Sequence, residues 1–153
     1  MPLSRLALLP LLGLVAVATY ALAQDLPPVD PAIAGMTADQ KVEARQAAMK
    51  EDGRLLGQLG KGQGDPIEVA TAVLQNMTNF PALFADGATS DKSHALPAVW
   101  EQFDDFTAIF KKGQEAAAGM LTAASAGDSA GVTASIKTLG GLCFECHQTY
   151  RGH

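Results

Sequence analysis

The sequence predicts an all-α protein built as a four-helix bundle. Four segments with helical periodicity follow one another, glycine, proline and aspartate mark the junctions between them, and no segment shows the alternation of a β-strand. The last segment carries a stripe whose steps alternate between four and three residues, the spacing of a seam in a left-handed bundle. This stripe consists of Val132, Ile136, Leu139, Cys143, Cys146 and Tyr150.

The first helix follows a proline-rich N-terminal extension at 24–36 that lacks periodicity. We expect the helix to begin after Thr37, whose hydroxyl can cap it while Gln40 completes a capping box. It should end near Lys61, because two glycines follow at once.

The second helix is predicted to begin at Pro66, which follows Asp65 as a capping residue. Since a proline in the interior of a helix usually breaks it, we expect this helix to stop near Pro81. A long polar crossover at 82–95 then leads to the third helix.

The third helix is predicted to begin at Pro97 and to supply most of the aromatic core. A break at 126–128 separates it from the fourth helix, which should continue to Tyr150. The bundle is thus expected to occupy residues 37–153. The residues of the third helix expected to face inward are Val99, Trp100, Phe103, Phe106 and Phe110.

The N-terminal residues have the pattern of an exported protein. Arg5 precedes an apolar run at 6–17, and small residues at Ala21 and Ala23 suit a signal peptidase. The run is shorter than the ~20 residues that span a bilayer, so we expect a cleaved signal peptide at 1–23 rather than a retained anchor. The mature chain would then be periplasmic, without stable membrane insertion.

The chain is acidic once the predicted signal peptide is removed. Ten basic residues face 16 acidic ones, a formal charge of −6 with neutral histidines. This balance argues against a nucleic-acid surface and favours protein partners that carry a basic patch.

The chemistry is concentrated in Cys143-Phe144-Glu145-Cys146-His147, which uses both cysteines of the chain. On a helix, residues three and four apart share a face, so Cys143, Cys146 and His147 can all address one flat ligand. Two thiols can form thioethers with the vinyl groups of a porphyrin, and the following imidazole can bind its iron. The motif therefore predicts one covalently attached haem c, held between helices near one end of the core.

Two other interpretations of the cysteines are weaker. A redox-active pair normally opens a long helix with more of the fold downstream, whereas seven residues follow Cys146. A structural zinc site needs four ligands, and His94 and His153 lack the spacing of a second half-site.

Four motifs resemble landmarks of the cytochrome c′ family, in the family's order and over nearly all of the mature chain. The resemblance implies an antiparallel four-helix bundle with the haem attached to the last helix. The motifs are Arg45-Gln46-x-x-Met49, Phe80-Pro81-x-x-Phe84, Pro97-x-x-Trp100 and Cys143-x-x-Cys146-His147-x-x-Tyr150-Arg151.

The resemblance makes His147 the proximal iron ligand and places Met49 on the opposite face of the haem. Family members divide here, because some bind iron through a methionine thioether and others leave it five-coordinate. Thioether sulfur suits haem iron, which favours ligation by Met49, but a flexible gap-filling methionine is the alternative.

Two arginines are candidate partners of the haem propionates. Arg45 lies one turn before Met49, and Arg151 lies four residues after His147. The alternative for each is an ordinary surface arginine. Gly53, one turn after Met49, either makes room for the ring or merely weakens the helix.

Two functions remain open on this reading. The first is a periplasmic electron carrier that exchanges one electron with redox partner proteins, and the alternative is a five-coordinate protein that binds NO or CO. An enzyme is not expected, since no distal acid-base histidine is present at a suitable place. We expect His94, His153 and the acidic pairs Asp104-Asp105 and Glu51-Asp52 to be solvated, and both a monomer and a homodimer are compatible with the sequence.

Overall fold

The computed structural model describes residues 26–152, and the predicted signal peptide at 1–23 lies outside this range. Within it the regular secondary structure is helical apart from one isolated bridge, which confirms the all-α prediction. No helix in the range is long and apolar enough to cross a membrane. The elements are a 3₁₀ helix (Pro31–Gly35), α1 (Ala38–Leu59), α2 (Pro66–Phe84), a second 3₁₀ helix (Ala85–Gly87), α3 (Ala98–Glu101), α4 (Phe103–Ser125) and α5 (Ser129–Tyr150).

The four long helices α1, α2, α4 and α5 form the bundle. α2 packs against α1 and α4, and α4 packs against α5, whereas α1 and α5 approach each other only sparsely. The N-terminal half of α1 faces the C-terminal half of α5, and Leu59 at the end of α1 faces Val132 near the start of α5. The two helices therefore run antiparallel with a gap between them.

Capping side chains begin the first two helices where the sequence predicts. The Thr37 hydroxyl accepts a hydrogen bond from the Gln40 amide at 3.3 Å, and the Gln40 side chain accepts one from the Thr37 amide at 2.8 Å. The Asp65 carboxylate accepts a hydrogen bond from the Ile67 amide at 2.7 Å. Each cap satisfies amides that have no partner within the helix and contributes ~1 kcal/mol.

α2 continues through Pro81 to Phe84, so the prediction that it stops near Pro81 is wrong. Pro81 has no N–H to donate to the Met77 carbonyl one turn earlier. The Gln114 side-chain amide of α4 donates to that carbonyl instead, at 3.4 Å. A neighbouring helix thus supplies a partner that the local sequence lacks.

The predicted third helix is divided in two. The backbone at Gln102 leaves helical geometry, with φ −127° and ψ 44°, and separates α3 from α4. Val99, Phe106 and Phe110 are buried as expected, while Trp100 and Phe103 are partly buried. The Trp100 indole N–H donates to the Phe84 carbonyl at 2.8 Å, and this contact holds α3 against the end of α2.

Aromatic side chains from α2, α4 and α5 pack together beside the gap. The ring centroids of Phe84 and Phe106 are 4.7 Å apart, those of Phe106 and Phe110 are 5.0 Å apart, and those of Phe106 and Tyr150 are 5.1 Å apart. All three pairs meet edge to face, the arrangement that aromatic quadrupoles favour, worth ~0.5–1.5 kcal/mol beyond burial. The cluster gives the gap a rigid apolar floor.

Candidate functional site

A cavity of about 370 Å³ lies in the gap between α1 and α5, and we call it the α1–α5 cavity. Phe84, Val99 and Phe106 form its apolar floor, and the crossover before α3 contributes Ser93, His94 and Ala95. The helices provide its two walls. The α1 wall consists of Arg45, Gln46, Met49 and Lys50, and the α5 wall consists of Cys146, His147, Tyr150 and Arg151.

The predicted attachment motif lies on the continuous helix α5. The Cys146 side chain is buried, with 8% exposure, while Cys143 is half-buried one turn earlier and His147 is exposed at the cavity wall. The two thiols are not joined to each other. In the described part of the chain, no three His, Cys, Asp or Glu side chains are grouped as a metal site, so the zinc interpretation gains no further ligands there.

The electrostatics of the motif differ from those of a redox-active cysteine pair. Burial raises the pKa of the Cys146 thiol to about 11, and burial and the charge of Asp52 raise the pKa of Cys143. Reactive cysteines instead have lowered pKa values, because the thiolate is the nucleophile. Desolvation and the positive charge of Arg151 lower the pKa of His147, which keeps its imidazole in the neutral form that binds metals.

Met49 occupies the opposite wall of the same cavity. It is half-buried on α1 and lines the space that Cys146 and His147 line from α5. The cavity therefore has His147 on one wall and Met49 on the other. The residues present therefore fit a covalently attached haem: Cys143 and Cys146 would hold it, and His147 would bind its iron.

Arg45 lines the cavity, but its guanidinium is also engaged elsewhere. It is 3% exposed, its Nη1 donates to the Leu83 and Ala88 carbonyls at 2.9 and 2.7 Å, and its Nη2 donates to the Ser93 hydroxyl at 2.9 Å. Its central carbon lies 4.0 Å from the centroid of the Phe84 ring. Arg45 thus ties the crossover to α1, a role that the sequence did not indicate, and its contact with a propionate stays a prediction.

Arg151 lies where α5 meets the crossover. Its side chain is exposed at the cavity wall, and its backbone forms an antiparallel bridge with Ala95. The Leu96 amide donates to the Tyr150 carbonyl at 2.9 Å, and the Gly152 amide donates to the His94 carbonyl at 2.7 Å. The exposed position is compatible with both a propionate contact and a solvated arginine.

Asp52 is a polar residue that the sequence interpretation placed wrongly in solvent. Its side chain is 3% exposed, and its Oδ1 accepts a hydrogen bond from Asn76 Nδ2 at 2.7 Å. Burial raises its pKa to about 7. A signal was available, because Asp52 follows Met49 by three residues and precedes the buried Leu56 by four, which places all three on one helix face.

The other polar positions predicted to be solvated behave as expected where the structure describes them. Glu51 is exposed and accepts a hydrogen bond from Arg54 Nε at 2.8 Å. Asp104 and Asp105 are exposed. His94 is exposed too, although it also lines the cavity, and His153 lies outside the described residues.

Gly53, which the sequence allows either as room for the ring or as a weak point of the helix, is exposed on α1. A Cβ built there would meet no heavy atom within 4 Å. The surrounding space is therefore open, which is compatible with both interpretations.

Comparisons with known proteins agree with this site. The family model described as Cytochrome C' matches residues 40–151. Cytochrome c-556 of Agrobacterium tumefaciens is 41% identical over 120 residues, which cover 72% of this chain and 96% of that protein.

Solved structures share the fold. Cytochrome c′ from Thermochromatium tepidum superposes with a TM-score of 0.70 at 21% identity, covering 77% of this chain and 98% of that one. The nitric oxide complex of a mutant cytochrome c prime from Alcaligenes xylosoxidans gives a TM-score of 0.64 at 24% identity, covering 76% and 98%. The chain therefore belongs to the cytochrome c′ family, as a four-helix c-type cytochrome that carries covalently bound haem c.

Proposed function

We propose that this cytochrome carries one electron in the periplasm on haem c, with His147 as the proximal and Met49 as the distal iron ligand. The observation that carries the proposal is the position of the two side chains in facing walls of the α1–α5 cavity. A thioether is a soft, neutral ligand that suits haem iron and raises its reduction potential. The cytochrome c-556 relative supports assignment to a c-type cytochrome without deciding the ligand.

In this proposal the protein's own residues hold the cofactor and exclude water. Thioethers from Cys143 and Cys146 fix the ring to α5. The apolar floor of Phe84, Val99 and Phe106 excludes water from one side of the ring. The haem supplies the one-electron iron couple. Exchange with redox partner proteins would take place after export of the chain and cleavage of the predicted signal peptide, and no substrate is converted.

The test is an absorption spectrum of the purified holoprotein in both oxidation states. We expect low-spin spectra, because an axial imidazole and an axial thioether together give haem iron a strong ligand field. The matching variant is Met49→Leu, which removes the sulfur while keeping an apolar side chain of similar size, and it should convert the reduced protein to high spin. A suitable control is Met36→Leu, since Met36 is also partly buried but lies outside the cavity walls.

A high-spin spectrum of the unaltered reduced protein would exclude ligation by Met49. The second function, binding of small gases at a five-coordinate iron, would then apply. It is favoured by the nitric oxide complex described for the structural relative. Equal rates of CO binding in the unaltered protein and in Met49→Leu would identify this alternative.

The predicted redox partners and the oligomeric state need separate measurements. The formal charge of −6 for the chain without its predicted signal peptide, from 10 basic and 16 acidic residues, is compatible with docking on a basic partner surface, and such docking should weaken as salt is added. Sedimentation of the holoprotein at several concentrations distinguishes a monomer from a homodimer.

A further inference from the structure

Asp52 is a buried carboxyl that plays no part in the proposed iron ligation. It lies on α1, one turn beyond Met49, with its side chain 3% exposed. Asn76 Nδ2 of α2 donates to Oδ1 at 2.7 Å, but within residues 26–152 the buried Oδ2 has no hydrogen-bond partner. Burying a carboxylate oxygen without a hydrogen-bond partner costs free energy, which favours the protonated, neutral form of Asp52.

The groups around Asp52 do not supply a compensating cation. No Lys, Arg or His nitrogen of the described residues lies within 4 Å of the carboxyl. Asn76 is a neutral hydrogen-bond donor. The charged neighbour that affects the pKa of Asp52 is the Glu51 carboxylate, which accepts a hydrogen bond from Arg54. On the α5 side the nearby titratable group is the Cys143 thiol, which has no ionisable proton once it becomes a thioether.

These surroundings set the protonation of Asp52 near neutrality. Burial raises its pKa, the hydrogen bond from Asn76 lowers it, and the negative charge of Glu51 raises it further, to about 7. The carboxyl therefore changes charge in the range where small electrostatic changes decide whether it holds a proton.

Asp52 lies close enough to the attachment site to respond to the haem. Asp52 follows Met49 by three residues, so the two side chains share a face of α1, and Met49 lines the α1–α5 cavity. In agreement with this position, the charge of Asp52 raises the pKa of the Cys143 thiol. Reduction of haem iron removes one positive charge from this region. Since Coulomb interactions are strong in a poorly solvated interior, losing that charge makes a nearby carboxylate bind a proton more tightly.

We propose that Asp52 is a redox-linked proton-binding site. When the attached haem accepts one electron from a redox partner, the Asp52 carboxylate takes up one proton from solvent and becomes a carboxylic acid. On oxidation the electron leaves and the same O–H bond releases its proton. The proposal rests on the proposed electron transfer but does not require Met49 to bind iron.

The test is the midpoint potential of the holoprotein, measured by spectroelectrochemistry at a series of pH values around neutrality. We expect the potential to fall as the pH rises through this region and to level off on both sides, because the reduced form binds the extra proton. Asp52→Asn, which is neutral at every pH, should remain near the acidic plateau of the unaltered protein. An equal pH-dependent fall in Asp52→Asn would overturn the proposal.

Two further variants separate a proton site from a structural residue. Asn76→Ala removes the hydrogen bond that lowers the Asp52 pKa, so the fall in potential should move to higher pH, and an unmoved fall counts against the proposal. Glu51→Gln removes an exposed neighbouring carboxylate and should keep the fall, shifted slightly to lower pH. Loss of the fall in Glu51→Gln alone would assign the proton to Glu51 instead.

Infrared difference spectra give a readout that does not depend on any variant folding well. The reduced-minus-oxidised spectrum of the unaltered holoprotein should contain the C=O band of a carboxylic acid, and its absence would contradict proton uptake by a carboxyl. A protein without covalently bound, reducible haem would refute the proposed function itself. A reducible holoprotein with a potential independent of pH would refute this inference alone.

Discussion

Arg45 carries a full positive charge in a nearly dry position. Burial lowers its pKa to about 10, so the guanidinium remains protonated at neutral pH. It is balanced by the Leu83 and Ala88 carbonyls, the Ser93 hydroxyl and the face of Phe84. The fork of the guanidinium reaches several acceptors at once, which a lysine ammonium on a flexible stem cannot do.

We therefore expect Arg45→Lys to lower the free energy of unfolding by ~2–4 kcal/mol, since hydrogen bonds to a charged group would be lost in a buried site. Urea unfolding of the oxidised holoprotein measures the change. Arg54→Lys is the matched control, because Arg54 is exposed on the same helix, and it should change the value by less than ~0.5 kcal/mol. Equal effects of the two substitutions would show that Arg45 does not anchor the crossover.

The two cysteines are predicted to form separate thioethers. Cys146→Ser should leave the haem attached through Cys143 alone, so its mass stays with the chain while denaturation exposes the ring more readily. Mass spectrometry after acidic organic extraction checks this, with the double substitution Cys143→Ser and Cys146→Ser as the control that releases the haem. Haem retained by the double variant would contradict the motif as interpreted.

At the scale of elements, α1 is the cavity wall whose successive turns have different roles. Arg45, Met49, Asp52 and Leu56 follow one another at steps of four, three and four, and each turn has a different partner. Arg45 binds the crossover, Met49 faces the cavity, Asp52 binds Asn76 of α2, and Leu56 is buried in the core. A single helical face thus places an anchor, a candidate ligand and a buried acid within two turns.

Glycines on the exposed side of α1 give a prediction for the helix itself. A Cβ at either Gly53 or Gly57 would meet no heavy atom within 4 Å. Alanine at either position should therefore raise the free energy of unfolding by ~0.5–1 kcal/mol, because it reduces the freedom of the unfolded chain. Thermal unfolding of both variants tests this, and a spectral shift or destabilisation confined to Gly53→Ala would show that the haem needs this space.

Backbone contacts also join the crossover before α3 to the residues at the C-terminal end of α5. The bridge between Ala95 and Arg151 and the hydrogen bond from Gly152 to His94 attach the end of α5 to the crossover. Arg45 attaches the same crossover to α1. The two walls of the α1–α5 cavity are therefore connected at one end, which limits how far they can separate.

For the whole molecule, the buried acid couples stability to pH. The pKa of Asp52 is about 7 in the folded protein, above its ordinary value of 3.8, so the folded state binds this proton more tightly than the unfolded state. Asp52 makes its full contribution to the free energy of unfolding at pH values below its pKa in the unfolded chain. This contribution decreases as the pH rises towards its pKa in the folded protein. Above it the contribution levels off.

We expect the free energy of unfolding of the oxidised holoprotein to fall between acid and neutral pH, with an Asp52 contribution of up to ~4 kcal/mol at ~1.4 kcal/mol per pKa unit, because the positive charge of oxidised iron lowers the Asp52 pKa. Asp52→Asn should remove this part of the slope in urea titrations at several pH values. Glu51→Gln is the control and should retain it. A slope unchanged in Asp52→Asn would show that the carboxyl titrates as it does in the unfolded chain.

Local patterns determined most of the fold and the chemistry of the attachment motif. Capping residues at Thr37 and Asp65 specify helix starts through hydrogen bonds that span two or three residues. The spacing of Cys143, Cys146 and His147 depends only on the pitch of a helix. Contacts inside one element are encoded where they form, which is why the predicted helix starts are confirmed.

Contacts between elements decided the rest. α2 continues past Pro81 because Gln114 lies on another helix, and the bend at Gln102 accompanies a contact with the end of α2. Asp52 is buried against α2, where Asn76 is its hydrogen-bond partner. By itself the sequence determined a four-helix bundle with haem attached near its C-terminus. The tertiary structure decided which side chains of α1 line the α1–α5 cavity and which polar groups are buried away from water, because burial depends on neighbours that are distant along the chain.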